Sequence, residues 1–328
     1  MVANSGCANA SRGKQGLADA AEMAALAASA IGAEPEDVLV ASTGVIGEPL
    51  PLAKIKAGLS QIVLTSDGGH ELARAIMTTD TLPKEMAVTV RAGNTEFSIG
   101  GIAKGSGMIH PNLATMLCFL TTDAAVDLDF LKSALQKAAD TSFNMVSVDG
   151  DTSPSDTLLI MANGMAGNKP ISRNSHLAST FQQALDRVCI YLAKSLARDG
   201  EGATRLIEVM VNGALNTAEA RIAARTIVSS PLVKTAVYGC DPNWGRILAA
   251  VGRSGVEVAE PNIDLSIGDI PLVKGGSPLP FNRQEVAKAL GKSEVLIKLD
   301  LNLNSGSATA WGCDLSEKYV TINSQYTT

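Results

Sequence analysis

A hairpin followed by long helices is the pattern that most restricts how this chain can fold. Met86–Val90 and Glu96–Ile102 are β-prone runs separated by the turn residues Gly93-Asn94. The next apolar run opens with Ala114-Thr115-Met116-Leu117, and helical periodicity then covers Asp127–Ala139 and Ser175–Arg198. Hairpins mixed with long helices point to a layered α+β architecture rather than a strictly alternating parallel sheet.

The rest of the chain fits that class. Gly16–Ile31 reads as an amphipathic helix closed by Gly32, a favoured residue just past a helix end. Val38–Ser42 reads as a short strand ending in the turn Thr43-Gly44. Arg205–Val211 is a predicted strand, and Thr217–Val228 a helix stopped by Ser229-Ser230-Pro231. A helix at Arg283–Leu290 and strands at Val295–Leu301 and Tyr319–Ile322 complete the reading. There is no tandem repeat and no low-complexity linker.

Composition narrows the function classes. With 328 residues, 46% hydrophobic and 18% charged, the chain has material for a large core or two packed halves. No apolar run approaches the roughly 18 residues that a membrane span needs. Ala18–Ile31, the most apolar helix, is broken by Asp19 and Glu22 and lacks the basic flank of a signal segment. Net charge is −6 and the Lys and Arg residues are scattered, which argues against binding nucleic acid or an anionic membrane. Five well-separated cysteines without C-x-x-C spacing, and only three histidines, argue for reduced thiols in a cytosolic setting and against a zinc site.

The segment Lys104–Leu117, K-G-S-G-M-I-H-P-N-L-A-T-M-L, carries the chemistry. A hydroxyl nucleophile needs a base, and a threonine at a new N-terminus has one in its own α-amine. That amine titrates at about 7.7–8.0, so it can accept a proton at working pH. Cleavage between Ala114 and Thr115 would create such a group, and Gly105 and Gly107 upstream suit a backbone that must bend for the attack. The same run, Thr115 to Leu120, also reads simply as a buried strand.

Motifs elsewhere in the chain bear on the choice through the family they resemble. N-S-G-C-A-N-A (Asn4–Ala10), S-T-G-V-I-G (Ser42–Gly47), I-M-T-T-D-T (Ile76–Thr81) and the Lys104–Leu117 segment occur in that order. V-D-G-D-T-S (Val148–Ser153), D-G-E-G-A-T (Asp199–Thr204), D-P-N-W-G-R (Asp241–Arg246) and Y-V-T-I-N-S (Tyr319–Ser324) follow. Nearly end to end, the chain resembles the ornithine acetyltransferase, or glutamate N-acetyltransferase, family of arginine biosynthesis. The resemblance implies a self-cleaving α+β fold of the kind shared with N-terminal-nucleophile aminopeptidases. It implies an α chain over 1–114 and a β chain over 115–328 that opens with the nucleophile Thr115. Thr43 and Gly44 are expected to form the oxyanion hole, and Thr78, Lys104, Thr115, Glu201, Asn323 and Thr328 to contact substrate. The implied partners are N-acetylornithine and glutamate, in a cytoplasmic α₂β₂ heterotetramer, with no metal or organic cofactor. Acetyl-CoA is a co-substrate only if the enzyme is bifunctional.

Several residues have other readings. Asp149 and Asp151 could bind a metal, as in a generic hydrolase, but D-G-D-T reads better as a tight turn. In D-P-N-W-G-R, Pro242 and Gly245 shape a turn and Trp244 packs. His110 orders the loop before the cut, and Cys118 is an inert buried thiol. An amidohydrolase or aminopeptidase, and an uncleaved chain acting only as a subunit, stand as alternatives. The chain departs from the family pattern at Ser11-Arg12, where many relatives carry Cys-Thr. It also begins almost inside the first motif, where relatives carry several tens of residues before it. An exposed edge or an incomplete pocket is therefore expected.

Overall fold

A computed structural model describes residues 1–110 and 116–325. Among them the chain builds an α+β molecule on three sheets. Val2–Cys7 and Val40–Val45 form a parallel pair. A four-stranded sheet runs in the order Lys84–Ala92, Thr95–Lys104, Leu117–Thr122 and Thr157–Ala162. The third sheet has seven strands, with Glu294–Asp300, Leu206–Ala214 and Gly306–Cys313 at its centre.

The hairpin is tight. Ala92 pairs with Thr95 across Gly93-Asn94, and Gly93 takes φ 61°, the left-handed conformation such a turn demands. Its register carries Lys104 to the far end of its strand, where it pairs with Leu117. Leu117 pairs in turn with Thr157, in parallel. Lys104, Leu117 and Thr157 thus form one row across three strands, and the chain leaving that row from each strand meets at one edge of the sheet.

Helix Ala178–Arg198 packs against strands of both large sheets. Phe181, Leu185, Val188, Leu192 and Leu196, spaced three and four apart, are wholly buried along one face. The backbone of the hairpin comes close at Gly101, where a methyl group would lie 2.4 Å from Leu120 and 3.1 Å from Leu192. Helix Thr217–Val228 starts at Asn216, whose side chain accepts from the Glu219 N–H, and covers Leu206–Ala214 and Gly306–Cys313. Helix Gly13–Ile31 ends at Gly32 with φ 70° and packs on a separate small core around Met23, Ala28, Val38 and Leu50.

The structure corrects two expectations. Thr43 and Gly44 lie inside strand Val40–Val45, not in a turn after it. Gly44 has φ 129°, and a Cβ there would sit 2.2 Å from the Gly6 carbonyl carbon, so the close approach of two parallel strands requires glycine at this position. Tyr319–Ile322 belongs to helix Glu317–Gln325, not to a strand. Its β-branched residues favour a strand locally, but the segment docks as a helix on the Gly202 turn. There a Cβ would meet the Tyr319 nitrogen at 2.5 Å, and Ser316 donates to the Gly202 carbonyl at 2.6 Å. Among the described residues no helix is long and apolar enough to cross a membrane.

Candidate active site

Lys104 is the hub. The last residue of its strand, it is only 6% exposed, and its ammonium donates to the Thr78 hydroxyl at 2.9 Å and the Thr43 hydroxyl at 3.4 Å. Burial pushes its pKa down. Asp80, Asp156 and Glu201 oppose that shift, and Lys84 adds to it. The sheet edge therefore joins the strand-borne Thr43 to the loop that carries Thr78.

A second layer holds this hub. Asp80 accepts from the Gly105 N–H at 2.7 Å, from the Thr78 N–H at 3.1 Å and from Lys84 at 2.6 Å. Burial alone would raise the Asp80 pKa. Lys84, Lys104 and the Gly105 N–H outweigh it and hold the carboxyl below its ordinary value. Lys84 also pairs with Asp199 at 2.6 Å, and Asp199 accepts from the Thr81 backbone at 3.0 Å. The loop 78–82 is thus stapled to the end of helix Ala178–Arg198 by buried charges.

Glu201 closes the site from the other side. It is 6% exposed, its backbone N–H donates to the Ser106 carbonyl at 2.8 Å, and its carboxylate accepts from Asn323 at 2.8 Å. Gly107 leaves room for it: a Cβ there would fall 2.5 Å from the Glu201 carboxyl carbon. Ser106 in turn bonds the Thr79 hydroxyl at 2.6 Å.

The segment leading to residue 111 is clamped in place. Asp149 accepts from the N–H groups of Met108 at 2.5 Å, Ile109 at 2.9 Å and Asp151 at 3.2 Å, the tight-turn role that its sequence favours. His110 contacts the Ser147 hydroxyl at 3.0 Å through Nδ1. Burial, with Arg225, lowers its pKa to about 4 against the pull of Asp151, so the ring is neutral at pH 7. Cys118 is fully buried and its thiol pKa is pushed far up by burial, which makes it inert. Trp244 packs against the main core at the start of helix Gly245–Gly252.

Five of the expected site residues, Thr43, Thr78, Lys104, Glu201 and Asn323, come together through this network, and Gly44 adjoins Thr43. Ala114, Thr115 and Thr328 lie outside the described residues. Sequence reasoning missed Asp80, Lys84, Asp156 and Asp199. Asp80 and Asp199 sit inside the I-M-T-T-D-T and D-G-E-G-A-T motifs, so the signal was present there. Nothing local distinguishes Lys84 or Asp156.

An α+β scaffold brings a buried lysine, an acid and several hydroxyls together in one buried polar cluster. The ArgJ family model matches residues 1–328, and the chain belongs to the ArgJ family. It is 55% identical to the arginine biosynthesis bifunctional protein ArgJ of Dehalococcoides mccartyi, over all of this chain and 81% of that protein. It is 53% identical to the protein of the same name from Symbiobacterium thermophilum, over all of this chain and 82% of the relative. A crystal structure of the arginine biosynthesis bifunctional protein argJ from Bacillus halodurans superposes with a TM-score of 0.61 at 45% identity, covering 63% of this chain and 97% of that one.

Proposed function

We propose that the chain cleaves itself between Ala114 and Thr115 and then transfers the acetyl group of N-acetylornithine to glutamate. The observation that carries this reading is the convergence on Lys104 of Thr43, Thr78 and Glu201, from segments far apart in sequence. Family membership over the whole chain supports it.

In this mechanism Thr115 Oγ attacks the acetyl carbonyl and its own α-amine takes the hydroxyl proton. The tetrahedral oxygen is met by the Thr43 hydroxyl and the Gly44 N–H. Because Lys104 donates to the Thr43 oxygen, the Thr43 proton is free to point at the oxyanion. The C–N bond breaks and ornithine leaves with the proton held by the amine. Glutamate's amine then attacks the acetyl-threonine ester, giving N-acetylglutamate and free Thr115. Lys104 is suited to a substrate carboxylate and Glu201 to the ornithine ammonium. No metal or organic cofactor takes part, and acetyl-CoA serves as a second acetyl donor if the chain shares the bifunctional activity. The cleaved chains remain together as an α₂β₂ heterotetramer in the cytoplasm.

Intact mass of the denatured protein tests the first half: two fragments meeting at 114 and 115 are expected. Product analysis tests the second, since N-acetylglutamate marks transfer and free acetate alone would mean hydrolysis. Glu201→Gln is expected to cleave normally and to lose about 10- to 100-fold in kcat/KM for N-acetylornithine, the worth of one charge-assisted hydrogen bond. Gly107→Ala pushes its methyl against the same carboxylate and is expected to cost about tenfold in that ratio, with an unfolding midpoint close to wild type. An undiminished kcat/KM in both variants would remove Glu201 from the substrate site.

A further inference from the structure

Asp314 is a buried acid that the mechanism above leaves unused. It follows strand Gly306–Cys313 and is 2% exposed. One carboxylate oxygen accepts from the backbone N–H groups of Thr204 at 2.8 Å and Arg205 at 2.9 Å. The other accepts from the Thr204 hydroxyl and, at 3.4 Å, from the Arg205 guanidinium. The Asp314 N–H donates back to the Arg205 carbonyl at 3.2 Å. Lys234, also buried, fixes the residue before it by donating to the Cys313 carbonyl. Arg205 reaches on to the Tyr238 carbonyl at 3.0 Å, so the anchor is continuous with helix Pro231–Tyr238. A buried carboxylate that meets four donors in this way is a fixed point, because its charge strengthens every bond it accepts.

The loop 199–205 is therefore tied at both ends by acids. Asp199 holds its start through Lys84 and the Thr81 N–H, and Asp314 holds its end. Between the anchors the Ala203 N–H donates to the Gly200 carbonyl at 2.8 Å, and Gly202 takes φ 72°. Glu201 sits in that tight turn with little slack on either side, so a shift at Thr204 is passed on to it. We propose that Asp314 is a positioning residue that sets selectivity for the cationic side chain of the acetyl donor, by fixing where the Glu201 carboxylate stands. This rests on the reading of Glu201 as the partner of the ornithine ammonium. A carboxylate held in place before the ligand arrives binds a cation more tightly, because less freedom is lost on binding. With its far anchor loosened, Glu201 keeps its charge but spends less time where the ammonium binds.

The test uses the full chain and two acetyl donors, with glutamate as acceptor throughout. N-acetylornithine carries the ammonium, and N-acetylnorvaline has the same carbon skeleton without the terminal amine. The ratio of their kcat/KM values reads the ammonium site alone; if N-acetylnorvaline turns over too slowly to measure, its Ki as a competitor is compared with the KM of N-acetylornithine instead. Asp314→Asn keeps one oxygen for the two backbone donors and gives up the charge. It is expected to fold, and the ratio to fall about tenfold while N-acetylnorvaline is handled much as in wild type. Thr204→Val removes only the hydroxyl donor and is expected to lower the ratio about threefold. It carries the test if the melting temperature shows that Asp314→Asn does not fold. A merely structural role slows both donors equally, so an unchanged ratio in the folded variant overturns the assignment. Should wild type fail to transfer or show no preference for N-acetylornithine, or Glu201→Gln keep that preference, the reading of Glu201 fails instead, and the two failures are told apart.

Discussion

A chain carrying Thr115→Ala is expected to run as one full-length species and to transfer no acetyl group. Two separate losses combine in this variant. In the proposed mechanism the hydroxyl that attacks the preceding carbonyl is gone, so no α-amine is freed. In that mechanism the same hydroxyl is also the nucleophile of the transfer reaction, so even a cleaved chain would lack it. Activity should fall to background, and refolding or longer incubation should not restore it. Thr115→Ser separates the two roles. It keeps a hydroxyl and should cleave, though more slowly, with some transfer retained. Full transferase activity in Thr115→Ala would sink the mechanism.

The second large effect concerns stability. Lys84→Met should destabilise the fold by about 3–5 kcal/mol, because it strips the cation from two buried carboxylates at once. Lys84 is 3% exposed and lies 2.6 Å from both Asp80 and Asp199. Replacing the whole cluster with apolar groups could be neutral, but removing one partner leaves uncompensated charge. Urea midpoints at pH 7 measure the loss. The pH dependence gives a second check. Asp80 in the folded protein is held below its ordinary pKa, so its contribution is present above the carboxylate range and is lost as pH falls through the lowered value. With Lys84 gone only Lys104 and the Gly105 N–H are left to offset the effect of burial on that carboxyl. The gap between wild type and variant should therefore narrow below about pH 4, once the acids are protonated. An equal gap at pH 7 and pH 3 would mean that lost packing, not charge, accounts for the effect.

Charge also links this cluster to the site. The loop 78–82 carries Thr78 to Lys104 only because Asp80, Lys84 and Asp199 pin it to the end of helix Ala178–Arg198. Substitutions here should therefore reduce substrate binding as well as stability, in proportion to how far the loop is released.

Much of this was determined by the sequence alone. The tight turn at Gly93-Asn94, the helix end at Gly32 and the periodicity of 178–198 are local signals, carried by residues whose backbone preferences or spacing act over a few positions. Thr43, Lys104, Glu201 and Asn323 were legible because they stand in recognisable motifs. Tertiary structure decided the rest. It made a helix of Glu317–Gln325, whose local preference is extended, because docking on the Gly202 turn outweighs a few tenths of a kcal/mol of propensity. It drew Thr43-Gly44 into a strand because only a parallel neighbour at Gly6 makes that conformation useful. Lys84 meets Asp199, and Asp156 faces Lys104, across separations that no local pattern encodes. Burial and long-range electrostatics depend on which segments share an interior, and that is decided only when the whole chain has packed.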